Sequence, residues 1–439
     1  KDDYTIDLGN HHFLAGVSFE HQFANNAYMR NGTGYYRYKS LEDFYNQAAP
    51  ETVCLTYGYN GNSNPTAQVT FNQYGAYLQD EWDVNKNFKL TYGTRFDLLT
   101  FNDKDIMTNN AIKALDYGGR HIDTGVWPKN HVMISPRVGF SWDVLGDNSL
   151  KLRGGAGLFT GRLPLVFFTN MPTNSNMIQN ISAITTTWDG KKSTPDPLLA
   201  SFAGPIITDK GKLLDKMNSL DPEKFPKTID PKDGVIGSEV DGVDPHFKMP
   251  MVAKVSLAAD YQVPVDFPFT VTAEGIFNKT IYGVRLSNYN ILPSDKWDRM
   301  AGTDNRLVYP SSYKYNKTDA FMLVNTREGY GYTANITLNA QPVRNLNLMF
   351  AYTRTESKEI TGMPGSAASS AYTSLYTVNG PEFTTLQRSQ YVVPDRIIAS
   401  VAWTNHTKHG FDTHVSLMYE GQTSGGWSYI YDADINGDG

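Results

Sequence analysis

The residues best suited to binding a metal lie in Asp432-Ala433-Asp434-Ile435-Asn436-Gly437-Asp438, where oxygen-bearing side chains alternate along the chain and a glycine permits a sharp turn. Asp432, Asp434, Asn436 and Asp438 thus resemble the first half of a calcium loop, since calcium takes six to eight oxygens and neutralises carboxylates that would otherwise repel. Ca2+ is the one candidate cofactor. Against it, the bidentate Glu expected at loop position twelve would fall beyond Gly439, and Trp427 to Tyr431 reads as strand rather than helix. The alternative is a solvated acidic turn.

A second set is dispersed. Arg95, Asp97, Arg137, Arg153 and Glu274 occupy the polar positions of segments in which every second residue is apolar. On the wall of a water-filled channel they would set ion selectivity; against a plug they would be desolvated and need partners there or on a ligand. His406, His409 and His414 cluster near one turn, but without Cys or a stable helix they make a weak metal site. Gly155, Gly157 and Gly161 do not fit the G-x-G-x-x-G spacing and read as small residues inside a strand, where plug or neighbouring backbone comes close. No G-x-S-x-G, H-E-x-x-H or P-loop pattern occurs, so no enzyme is expected.

These charges must be positioned by strands. Phe88, Leu90, Tyr92, Phe96 and Leu98 alternate with Lys89, Thr91, Gly93, Arg95 and Asp97, which gives one oily and one charged face. Before the turn at Asn85-Lys86-Asn87, Tyr74, Ala76, Leu78, Trp82 and Val84 repeat the pattern, broken only by Asp80. Four more hairpins follow, turning at 146–148, between Val263 and Phe269, at 342–345 and at 405–410. Long polar segments separate them, roughly 102–130, 163–250, 290–318 and 355–390.

Short turns alternating with long loops, on strands of about 9–11 residues, predict an all-β fold: a transmembrane antiparallel β-barrel with long extracellular loops. About fourteen strands are countable. The longest apolar run, Leu163 to Phe168, is interrupted by Pro164 and far short of the roughly 20 residues a membrane helix needs. Aromatic residues make up 13% of the chain, and Trp82, Trp142, Trp403, Tyr261, Tyr352 and Tyr419 near strand ends suit interfacial girdles. A formal charge of −6 argues against nucleic acid as a partner. Cys54 stands alone and reads as a small apolar strand residue. Segment 163–250 reads as one long outer loop with short structured pieces such as Leu213 to Leu220.

Several motifs carry a family resemblance. Tyr74-Gly75-Ala76-Tyr77-Leu78-Gln79-Asp80-Glu81-Trp82 followed by Leu90-Thr91-Tyr92-Gly93-Thr94-Arg95-Phe96-Asp97 resembles a signature hairpin of TonB-dependent outer-membrane receptors, and Ser135 to Phe140 with Arg153 to Phe159 resembles the next. Patches at Gly9 to Gly16, Gly34 to Tyr36, Ser40 to Phe44, Gly161 to Asn170, Val393 to Ile397 and Asp434 to Gly439 are similar, in their order, to the Oar-like group, whose N-terminal extension resembles a carboxypeptidase regulatory domain. Pro394-Asp395-Arg396 departs from the group's commoner Pro-His-Arg. The resemblance implies a barrel of approximately 22 strands closed by an N-terminal plug and energised by TonB, in the outer membrane of a Gram-negative bacterium among its lipid and lipopolysaccharide.

On that reading residues 1–439 are the interior-to-C-terminal part of one barrel, with plug and last strands outside it, and 163–250 is an extracellular loop insertion. The expected function is import of a bound ligand, related to peptide or protein. The alternative is a barrel that scaffolds a larger assembly with other outer-membrane proteins.

Overall fold

The computed structural model describes residues 1–188, 192–230, 234–374, 376–406 and 410–438. Its frame is an antiparallel wall of twelve strands in one continuous path, on which every strand pairs with the next wall strand in sequence. In order they are Asp2–Leu8, His11–Asn26, Ala67–Asn85, Phe88–Phe101, Val132–Asp143, Leu150–Thr160, Met251–Gln262, Phe269–Asn288, Tyr330–Val343, Leu346–Glu359, Asp395–His406 and Asp412–Gln422. Three further strands branch from the path, so the wall itself holds fewer than the fourteen expected. Among the described residues the two lateral strands do not pair with each other, and the wall is an open arc.

Each hairpin read from the sequence is present. Tyr74, Leu78, Tyr92, Phe96, Val138, Leu257, Ile336 and Val401 all lie on one face and are exposed, as apolar residues facing lipid must be. The register fixes this orientation: Trp82 pairs with Leu90 and Leu90 with Phe140, so the oily rows of adjacent strands coincide. A slip of one residue would turn every row inward. Asp80, the polar residue in an oily row, is only 3% exposed; it accepts hydrogen bonds from Tyr92 Oη and pairs with His11 Nδ1, both at 2.7 Å, while the His11 ring stacks on Trp82.

All short connections fall at one end of the wall and all long ones at the other. The 342–345 turn is tighter than expected, because Pro342 belongs to the strand, beside a register shift between Ala340 and Val343. Trp427 to Tyr431 is not a strand; this stretch is exposed irregular chain, with Tyr431 lying against the Arg306 guanidinium. No helix among the described residues is long and apolar enough to cross a membrane, which says nothing of crossing by strands.

The long connections do not behave as separate loops. The described residues of 27–66, 102–131, 161–250, 289–329 and 360–394 fold together into a cap with apolar cores of its own. In one, Val53 and Leu55 of strand Thr52–Gly58 and Ile184 of Gln179–Thr185 pack with Leu213, Met217 and Phe225. Here lies helix Lys210–Leu220, whose start is fixed by the Asp209 side chain accepting from Lys212 N. Cys54 lies in the same strand, partly covered. A second core joins cap to wall: Phe168 and Met171 of helix Val166–Thr173 and Trp127 pack against Val69 and Phe71, which face inward from the wall.

Candidate functional site

The inward face of the wall carries the charges singled out in the sequence. Arg95 and Asp97, two residues apart and therefore on one side of their strand, pair at 2.7 Å, and Gln73 Nε2 donates to the same carboxylate at 3.3 Å. The Arg95 guanidinium lies over the Tyr77 ring and reaches Ser18 Oγ. Gly75 makes this possible, because a Cβ there would collide with the guanidinium and with Ser18. Arg153 bridges two strands, donating to Asp260 at 3.1 Å and to Glu274 at 3.4 Å. Arg137 joins neither pair; its guanidinium lies against Phe159, and it shares a lumen-side hollow with Arg95, Lys1 and Tyr77. The five residues therefore form two ion-paired groups and one aromatic-stacked arginine.

At the outer end of the lumen the cap and the wall border a narrow, partly open hollow of about 40 Å³. Its apolar side comes from Leu99, Phe101, Phe168 and Phe247, and its polar side from Asp97, Lys129, His131, Arg162 and Lys248. Arg162 is oriented by a paired contact to Glu20 across the lumen, at 2.5 and 3.1 Å. Burial, Lys248, His246 and Lys129 together push the His131 imidazole below its ordinary value, and its Nε2 is buried with no hydrogen-bond partner. The cavity is thus electropositive, with one carboxylate on its wall. Asp97 was visible in the sequence as a strand position; Lys129, His131, Arg162 and Lys248 lie in or beside loops, where no periodicity marks them.

The acidic turn is braced by its own backbone and by the 307–309 segment. Asp434 Oδ1 accepts from the backbone N–H groups of Asn436, Gly437 and Asp438, and Asn436 is buried, donating to Leu307 O while Tyr309 N–H donates to its carbonyl. Asp432 is exposed, and burial beside Asp434 pushes the Asp438 carboxyl up. Among the described residues no group of three or more His, Cys, Asp or Glu is placed to hold a metal. His406 pairs with Asp412 at 2.8 Å and His414 with Thr404 at 3.0 Å, across one hairpin; His409 lies outside the described residues. Gly155 and Gly157 face adjacent-strand backbone, where a Cβ would come within 2.8 Å of Val138 O and 3.0 Å of Pro136 O. Gly161 lies just past the end of its strand.

The sequence matches the outer membrane beta barrel domain family over residues 1–429. The chain belongs to that family. With the wall just described, this makes it an integral protein of the Gram-negative outer membrane, with an antiparallel transmembrane β-barrel fold. No curated protein matches it significantly. Among solved structures it is similar to the outer membrane transporter YddB from Escherichia coli, at 12% identity and a TM-score of 0.46, over 92% of this chain and 39% of that one. It is also similar to the FrpB iron transporter from Neisseria meningitidis (11% identity, TM-score 0.42, 91% and 40% of the two chains). The copper transporter OprC gives 10% identity and a TM-score of 0.44, over 95% and 42%. The chain therefore spans about two fifths of the length of these neighbours.

Proposed function

We propose that this chain forms the wall and outer cap of a TonB-coupled receptor of the Oar-like group, which binds a ligand at the outer mouth and takes it up through a plugged barrel. The observation that carries this reading is the cap. Five connections from different hairpins converge into one packed unit, and the pocket at its base is lined in part by Gln73 and Asp97 of the wall's inward face. A passive pore gains nothing from building apolar cores over its own entrance. A receptor gains a shaped binding surface, which scaffolded loops supply. Lys129, Arg162 and Lys248 beside an apolar floor suit a ligand with a carboxylate and a hydrophobic body, such as a peptide C-terminus. The Arg95–Asp97 and Arg153–Glu274 groups would then be the inner wall's contacts with plug or passing ligand.

The test is gentle purification of the native protein from outer membranes, with mass spectrometry of what accompanies it, and a comparison of ligand uptake in cells with and without TonB. Bound peptide and TonB-dependent uptake are the expected result. Stoichiometric protein partners with no ligand and no TonB dependence would overturn it in favour of a scaffolding subunit.

A further inference from the structure

The cap holds two carboxylates side by side, Asp241 buried and Glu239 half-buried. Glu239 and Asp241 share one face of strand Glu239–Val243, which pairs in parallel with the start of Asp319–Thr326. Asp241 is 1% exposed. Facing them at the C-terminal cap of helix Val166–Thr173 is Asn174, 4% exposed, whose single Nδ2 donates to Asp241 Oδ2 at 2.6 Å and to Glu239 Oε1 at 3.2 Å. The other oxygen of that carboxylate, Asp241 Oδ1, and the Oδ1 of the same Asn174 amide are buried without a hydrogen-bond partner. Asn176 Oδ1 is in the same condition, while its Nδ2 holds the backbone carbonyl of Glu239 at 3.0 Å.

The charges nearby do not balance. Burial and Asp319 act against Glu239, and Arg30 and a hydrogen bond with the Ser369 side chain act favourably on it. Asp241 feels burial and the charge of Glu239, offset only by the neutral amide of Asn174. Lys314 is committed to Asp319 at 2.9 Å. A buried carboxylate is stable only if it is paired, protonated or coordinated to a cation, and one hydrogen bond to a neutral donor returns less than desolvation costs.

We propose that Glu239, Asp241 and Asn174 bind one hard divalent cation of the calcium class, fastening helix Val166–Thr173 to the parallel strand pair of the cap. Carboxylate and amide oxygens are the ligands such an ion takes. Asn174 needs only a half-turn of its amide to present Oδ1 where Nδ2 stands, an exchange that leaves its heavy-atom outline unchanged. Helix Val166–Thr173 carries Phe168, which lines the mouth cavity, so the ion would set the rigidity of the cavity floor. The site is independent of what the barrel carries.

The whole protein, stripped with EDTA in detergent, is titrated with CaCl2 by calorimetry, and its thermal unfolding is followed in CaCl2 and in EDTA. One ion per chain is expected to bind at this site, with a rise in Tm; at a hundred times Kd the folded-to-unfolded ratio rises about 100-fold. Asp241→Asn and Glu239→Gln should abolish both effects, and Asp434→Asn in the acidic turn should leave them intact. In EDTA, Asp241→Asn should unfold at or above the parent temperature, because a buried amide replaces an uncompensated carboxylate; a lost calcium response is then not misfolding. A parent protein indifferent to calcium in both assays would overturn the proposal. So would a response that survives Asp241→Asn and disappears in Asp434→Asn.

Discussion

The wall and the cap bury opposite parts of themselves. In the wall, Leu78 is 56% exposed and the polar partners Arg95 and Asp97 face inward; in the cap, Val53 and Phe225 are fully buried and the charges stay mostly outside. The wall's apolar residues have no protein core to enter because lipid is their solvent, and between its two lateral edges its backbone is satisfied by strand pairing. The cap sits in water and folds as water-soluble proteins do, by removing apolar surface from it. One chain thus obeys two solvents, and the boundary runs through helix Val166–Thr173, where Phe168 packs on the inward-facing Phe71 row.

This contrast can be broken from either side. The largest effect is expected in the cap: Phe225→Ala should cost about 3–5 kcal/mol of cap stability by opening a cavity in a closed core. Limited proteolysis should then cut residues 161–250 while the wall retains its heat-dependent mobility on gels. A wall that unfolded together with the cap would show the two regions to be one cooperative unit. On the lipid side, Leu78→Arg should cost about 2–4 kcal/mol near the bilayer midplane, whereas Gln79→Arg, one residue along and facing the lumen, should be mild. Equal effects in bilayer folding assays would contradict the register.

The smallest effect belongs to the boundary. The His131 imidazole is held below its ordinary value, so the unfolded chain binds its proton more readily than the folded one. Its contribution is therefore present above the unfolded value of about 6.5 and is lost as pH falls through the folded value. Hydrogen-exchange protection around Phe247 to Met249, taken relative to the intrinsic exchange rate at each pH, should fall between pH 7 and pH 5, and His131→Gln should remove that dependence. An unchanged pH profile in the variant would assign the effect to another group.

The strands were legible because a period of two is a local property: Phe88 to Leu98 states its faces without reference to any other segment. The lumen charges were legible for the same reason, and Asp80 was visible as an interruption, although its partners His11 and Tyr92 were not. The cap was hidden because its cores are assembled from distant pieces. Val53, Ile184 and Phe225 lie in three stretches that each look like polar connection. Residues 27–66 gave no sign of being part of it, and segment 163–250 read as a loop with short structured pieces such as Leu213 to Leu220, which lies within the helix Lys210–Leu220. Glu239 and Asp241 fared worst, since two acids in a polar stretch look solvated until the chain around them is folded.

The cap's assembly from five separate connections has a consequence for how such a protein can change. Each piece is inserted between wall strands whose spacing is fixed by hydrogen bonding, so the pieces meet only when the wall beneath them has closed up in register. A single connection therefore cannot be exchanged for a foreign one as a self-sufficient cartridge, because it carries only a fraction of a core. Diversification of the outer surface must proceed by matched substitutions across several connections at once, or be confined to residues that touch solvent alone.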